Sequence, residues 1–300
     1  MISTDADELF DSKLLKRLES LSLATRHLVK GKQRSERRSH QRGSSIEFAE
    51  YRPFVTGDDW RYIDWNAFAR WRQLVLKLFI EEEDLYVHLL LDSSASMDFG
   101  HPVKFDYSRQ IAAGLAFLAL ANLDRVAVIP MGSEGWLEWQ PARGRHRFLP
   151  LLRYLARCPI SQSTVSMKKL MSSWCASKPK RGLTIWISDL WGSDLKDALQ
   201  ALDRLRYSKQ EIAVIQIMDP TESEAGEVGE YELSDCETNE RRKVIVDAAL
   251  IREYRRRHSS YQEEIQRYCH RYQISLIQAD TRVSVPDLLM KSLMKGGFVR

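Results

Sequence analysis

The chain has 300 residues, 44% of them apolar, with 45 Lys and Arg against 41 Asp and Glu. That length and balance suit a soluble globular protein of one large or two smaller domains. A net charge of +4 is too small to demand a nucleic-acid partner, and the longest strongly apolar helical run, 111–121, is too short to cross a bilayer.

The N-terminus, Met-Ile-Ser-Thr-Asp-Ala-Asp-Glu, lacks the basic-then-apolar order of a signal peptide. Cys158, Cys175, Cys236 and Cys269 are scattered without a C-x-x-C pair, which fits reduced thiols and a cytoplasmic setting. Leucines at 9, 14, 15, 18, 21, 23 and 28 predict a helix over 8–31, with Gly31 as a stop. A run of seven Lys/Arg between Arg26 and Arg42 follows. Such runs can contact nucleic acid but are more often solvated loops, and no aromatic interrupts this one to stack on bases.

Residues 47–70 are dense in aromatics, with Asp58, Asp59, Arg61, Asp64 and Arg70 among them. Thr56-Gly57-Asp58-Asp59 reads as a turn, and Arg61 and Arg70 have donors enough to tie nearby carboxylates together. A general-acid pair of Asp58 with Asp64 is conceivable, but nothing places the two across a cleft, so a structural network is the better reading. A strand is predicted over Leu74–Ile80, then an acidic link, Glu81 to Asp84.

Residues 85–99 carry the clearest signal. Leu85 to Leu91 is an apolar run of strand length, as in a strand buried on both faces of a parallel sheet. It switches at once to Asp92, Ser94 and Ser96 in D-x-S-x-S spacing, followed by Met97-Asp98-Phe99-Gly100. At the carboxyl end of a buried strand, one carboxylate and two hydroxyls suit Mg²⁺ or Mn²⁺ rather than zinc. The alternative is a serine-rich turn that caps the next helix.

Helix and strand then alternate, which predicts a parallel, doubly wound α/β sheet. Helices are expected at Lys104–Asn122, Arg147–Arg157, Ser166–Ser177, Ser193–Tyr207 (capped by Ser193) and Arg252–Tyr272. Strands are expected at Arg125–Pro130, Gly135–Gln140, Leu183–Ser188, Glu211–Met218 and Ile274–Gln278, with a hairpin of Tyr231–Ser234 and Lys243–Asp247. Asp189 closes a buried strand as Asp92 does, and parallel neighbours would bring both to one sheet edge. His88 lies within the buried strand, where a satisfied core histidine is expected rather than a ligand. The chain has no G-x-x-x-x-G-K-[ST] and no H-E-x-x-H, and Ser94 and Ser96 lack a base nearby in sequence.

The segment Tyr51-Arg-Pro-Phe-Val-Thr-Gly-Asp-Asp-Trp-Arg-Tyr-Ile-Asp-Trp-Asn-Ala-Phe-Ala-Arg, the acidic run and Leu-Leu-Leu-Asp-Ser-Ser-Ala-Ser-Met closely resemble the bacterial domain-of-unknown-function 58 family. That family is related to von Willebrand factor type A (vWA) domains, whose metal-ion-dependent adhesion site the 85–99 stretch resembles. The resemblance continues through Lys104, Asp124-Arg125-Val126, Ser188-Asp189, Met218–Glu222 and Asp235–Thr238. Trp71, Arg72 and Glu83 depart from the family pattern and affect local packing, not the metal loop.

The resemblance implies a vWA-like domain over 81–300, preceded by an extension over 1–80 that carries Arg52, Gly57, Asp58, Arg61, Asp64, Trp65 and Arg70 as its structural motif. It also implies two further oxygen ligands from separate loops. These are Asp189, which can act through a water, and a threonine, best placed at Thr164 with Ser163 as its substitute. The function implied is a non-enzymatic, metal-dependent interaction module that offers Mg²⁺ or Mn²⁺ to an acidic residue of a partner. The partner implied is a MoxR-type AAA+ ATPase, in assembly or maturation of other complexes. The alternative is a metal-dependent phosphohydrolase using Asp92 and Asp189, with Asp98 as an added carboxylate.

Overall fold

The computed structural model describes residues 9–10, 14–20, 47–80, 85–132, 138–161, 166–191, 195–223, 228–234 and 241–294. The chain divides into two compact units, one formed by 24–84 and the other by 1–23 with 85–300. In the larger unit, residues 14–20 form helix α1, while Phe10 sits in a bend, so the predicted 8–31 helix is broken near its start. Residues 21–31 and the basic run to Arg42 lie outside the described residues.

In the 24–84 unit, β1 (Glu47–Pro53) pairs antiparallel with β2 (Val75–Ile80), and Tyr51 lies opposite Lys77. Between them the chain makes a 3-10 turn and helix α2 (Trp65–Trp71). Asp64 caps α2 by accepting the amides of Asn66 at 2.9 Å and Ala67 at 3.2 Å. The same carboxylate accepts the Tyr51 hydroxyl at 2.8 Å and faces Lys77 Nζ at 3.1 Å. Asp58 instead accepts Arg52 at 2.7 Å and the Val55 amide at 2.9 Å, closing a turn in which Gly57 takes a φ of +107°. Arg61 pairs with Asp59, while Arg70 makes no ion pair among the described residues and Trp65 is exposed. Asp58 and Asp64 are thus held by different partners.

The larger unit is built on a six-stranded sheet. Its strands are β3 (Tyr86–Asp92), β4 (Arg125–Met131), β5 (Trp139–Arg143), β6 (Gly182–Ser188), β7 (Glu211–Met218) and β10 (Ser275–Asp280), in the order β10-β7-β6-β3-β4-β5. Every pairing is parallel except that of β5, which runs antiparallel at one edge. The chain builds outward from β3 through β4 to β5, then returns to the other side of β3 for β6, β7 and β10. The order therefore reverses between β3 and β6, where open α/β sheets bind ligands beyond their strand ends. A separate antiparallel ladder joins β8 (Gly229–Ser234) to β9 (Arg241–Val246).

Both sheet faces are covered, as the apolar strands require. On one face Val87, Leu89 and Leu91 pack with α1, α3 (Lys104–Ala121), α4 (Phe148–Arg157) and α9 (Val285–Met294). On the other, Leu90 and Trp186 pack with α5 (Met167–Ala176), α6 (Leu195–Tyr207) and α8 (Ala248–Arg271). This is the mostly parallel, doubly wound α/β architecture expected from the sequence. His88 is a core residue: its Nε2 lies 2.8 Å from the Lys180 carbonyl, its ring meets Trp174 edge-on, and burial lowers its pKa.

Several boundaries differ from expectation. The strand expected at Gly135–Gln140 overlaps β5 only at Trp139 and Gln140, because pairing runs on to Arg143, opposite Arg125, with Ala142 buried opposite Val126; residues 133–137 lie outside the described residues. Helix α8 begins four residues before Arg252, because Asp247 caps it by accepting the Leu250 amide at 2.7 Å rather than ending a strand. Strand β10 runs on to Asp280, paired with Met218 of β7. Ser193, the expected cap of α6, lies outside the described residues. Among the described residues, no helix is long and apolar enough to cross a membrane, and Cys158, Cys175 and Cys269 are free thiols.

Candidate metal centre

Asp92 ends the central strand at 4% exposure, opposite Met131 of β4. The loop after it is stapled to its neighbours. The Ser93 amide and hydroxyl both donate to the Met131 carbonyl at 3.1 Å, and the Ser161 amide donates to the Ser93 carbonyl at 2.6 Å. The Ser161 hydroxyl bonds the carbonyl of Gly132, whose φ is +119°. Residues 162–165, which include Ser163 and Thr164, lie outside the described residues.

Ser94 opens a 3-10 turn over Ala95–Met97, yet its side chain makes no capping bond. The next helix, α3, is preceded by Val103, which offers no side-chain cap either. The Ser94 and Ser96 hydroxyls instead lie 3.0 Å from each other, both half-buried. The helix-cap reading of the two serines therefore fails: their oxygens are spent on no helix end. Asp98 is exposed, at the far side of the turn.

Asp92 Oδ1 accepts the Ser94 amide at 2.9 Å, and Oδ2 accepts the hydroxyl of Ser188, the last residue of β6. The Ser94 side chain is a third donor to this carboxylate, which still keeps lone-pair capacity for a further partner. Burial, and next the charge of Asp189, raise the Asp92 carboxyl to about 6. A dry carboxyl beside a second carboxylate is one that a cation would stabilise. One carboxylate with two hydroxyls that bond only within this loop is a hard-oxygen donor set that fits Mg²⁺ or Mn²⁺. Among the described residues, no group of three or more His, Cys, Asp or Glu is arranged to hold a metal.

Asp189 follows β6 and is 1% exposed. Its Oδ1 accepts the Trp191 amide at 2.9 Å, and its Oδ2 lies 2.7 Å from Lys104 Nζ. Lys104 opens α3, is 1% exposed and also pairs with Glu222 Oε1. Burial alone would lower the lysine's pKa, but the two carboxylates outweigh it and raise it. Glu222, in the short helix α7 (Pro220–Ser223), is raised by burial despite Lys104. Next to it, Asp219 accepts Thr221 and Thr281, and its carboxyl is lowered. Helix α8 holds both loops: Tyr261 donates to the Leu190 carbonyl and Tyr254 to the Glu222 carbonyl, each at 2.5 Å.

The structure thus brings together Asp92, Ser94 and Ser96, ties Asp92 to β6, and commits Asp189 to a lysine. Lys104 and Glu222 fall within the segments that resemble the family, but nothing in the sequence gives either a role in the site. A lysine that opens a helix reads as solvated; only packing shows it buried.

Uncharacterized proteins of Mycobacterium bovis and Mycobacterium tuberculosis are 26% identical over 272 residues, covering 89% of this chain and 84% of theirs. An uncharacterized protein of Mycobacterium avium is 28% identical over 131 residues, 42% of this chain and 75% of its own. Among solved structures, an aerotolerance-related membrane protein from Bacteroides fragilis covers 71% of this chain and 98% of its own, at 12% identity and a TM-score of 0.38. The manganese-loaded TRAP protein of Plasmodium vivax covers 44% and 57%, at 16% identity and a TM-score of 0.31. The model of the family described as "Protein of unknown function DUF58" matches residues 50–264, most of the chain and all of the β3–β6 centre, and the chain belongs to that family.

Proposed function

We propose that the chain is a protein-interaction module that holds Mg²⁺ or Mn²⁺ on Asp92, Ser94 and Ser96 and offers it to a carboxylate of a partner protein. One observation carries this reading. Two serine hydroxyls that cap no helix lie together beside a buried carboxylate, where the strand order reverses. Two neutral donors and few carboxylates would leave a bound ion electrophilic, with an open position for the partner's acidic side chain. Asp189 and Thr164 are the further ligands proposed, Asp189 through a water.

The family resemblance supports a MoxR-type AAA+ ATPase as the partner, and four scattered cysteines without a C-x-x-C pair support a cytoplasmic setting. Fold alone does not fix such a role.

Co-purification with a co-expressed MoxR-type ATPase tests the reading. Capture is expected in millimolar Mg²⁺, with loss on chelation and in Asp92→Ala. Capture indifferent to both would overturn metal dependence. Metal-dependent turnover of a phosphoester, lost in Asp92→Ala, would instead favour a hydrolase.

A further inference from the structure

Lys104 is poorly suited to its place if stability alone is considered. It sits in the first turn of an 18-residue helix, where the backbone dipole disfavours a cation, and its side chain is 1% exposed. Asp189 and Glu222 hold its ammonium, and the Phe99 ring lies 5.7 Å from it. Of these two carboxylates, Asp189 belongs to the candidate metal centre and Glu222 does not.

We propose that Lys104 is a built-in counter-cation that competes with the divalent ion for Asp189, with Glu222 as the second acceptor that lets it let go. This rests on the metal reading above and adds to it a control on affinity. While the ammonium holds Asp189 Oδ2, the metal loop has the full charge of Asp92 alone to draw on. When the ammonium rests on Glu222, Asp189 is released toward the ion without leaving a buried cation unpaired. The opposite role, in which Lys104 merely orients Asp189 as a ligand, predicts the opposite effect of removing it.

Titration calorimetry with Mg²⁺ and Mn²⁺ on the full chain separates these roles, with chromatographic and circular-dichroism checks of folding. Lys104→Met is expected to bind the ions about tenfold more tightly or better, since one positive charge leaves the site. Glu222→Gln, nearly isosteric, is expected to bind several-fold more weakly, because the lysine loses its second acceptor. Should Lys104→Met fail to fold, Glu222→Gln decides: equal or tighter binding overturns the proposal. If the wild type binds metal and Lys104→Met binds equally or more weakly, the counter-cation role is wrong while the metal site stands. If neither binds, the metal reading itself fails, and this proposal with it.

Discussion

The Ser188 hydroxyl, at the end of β6, donates to Oδ2 of Asp92, at the end of β3. The bond closes the gap between neighbouring strands where the chain changes direction across the sheet. Ser188 Oγ also accepts the Leu190 amide at 2.9 Å, so one hydroxyl orients both the metal-loop carboxylate and the loop that carries Asp189. Ser188→Ala is expected to cost about 1–3 kcal/mol, since a buried charged acceptor loses a donor. Urea unfolding measures it; an unchanged midpoint would show that the bond does not hold the strands' ends.

Gly182 starts β6 opposite Tyr86, and a Cβ there would collide with the Tyr86 carbonyl and side chain. Backbone cannot move aside as a flexible side chain can. Gly182→Ala is therefore expected to destabilise by about 1–3 kcal/mol through strain at the β3–β6 seam. A thermal midpoint equal to wild type would contradict that close approach.

Leu18 of α1 is fully buried and belongs to the same core as Leu89 and Leu289. Leu18→Ala is expected to lose about 2–5 kcal/mol, a core-sized penalty for a residue far from the sheet in sequence. A loss within a few tenths would mean that α1 is not part of this core.

The leucine spacing that predicts a helix near residue 18 also explains why that helix joins the core, and the alternation around β3 made the sheet legible. Strand ends were less so. The strand expected at Gly135–Gln140 overlaps β5 only at Trp139 and Gln140, because the pairing of Ala142 with Val126 and Arg143 with Arg125 carries it past the polar stretch that follows. Helix α2 was missed because its sequence, Trp-Asn-Ala-Phe-Ala-Arg-Trp, has exposed aromatics instead of an apolar stripe. Asp92, Ser94 and Ser96 could be read together because they share one loop. The Lys104–Asp189–Glu222 cluster could not, since its members are 85 and 118 residues from Lys104 and meet only through the sheet.

Asp64 gives the 24–84 unit an acid sensitivity. The Tyr51 hydroxyl is first among the groups that lower its carboxyl to about 2, joined by Lys77 and the α2 amides. A carboxylate depressed in the folded state stabilises above its unfolded value, near 4, and that contribution is lost as pH falls toward 2. Asp64→Asn should therefore be less stable at neutral pH and lose less stability between about pH 5 and about pH 2. Fluorescence of the tryptophans in this unit follows the transition. Parallel acid profiles for the two proteins would remove Asp64 from the account.

The central claim is that Asp92, Ser94 and Ser96 hold a divalent ion. Thermal unfolding of the wild type and Asp92→Ala, each with and without millimolar Mg²⁺ or Mn²⁺, tests it most directly. A ligand that binds only the folded chain raises its midpoint. A metal-dependent rise is expected in the wild type and is expected to vanish in Asp92→Ala. An equal rise in both proteins, or none in the wild type, would contradict it.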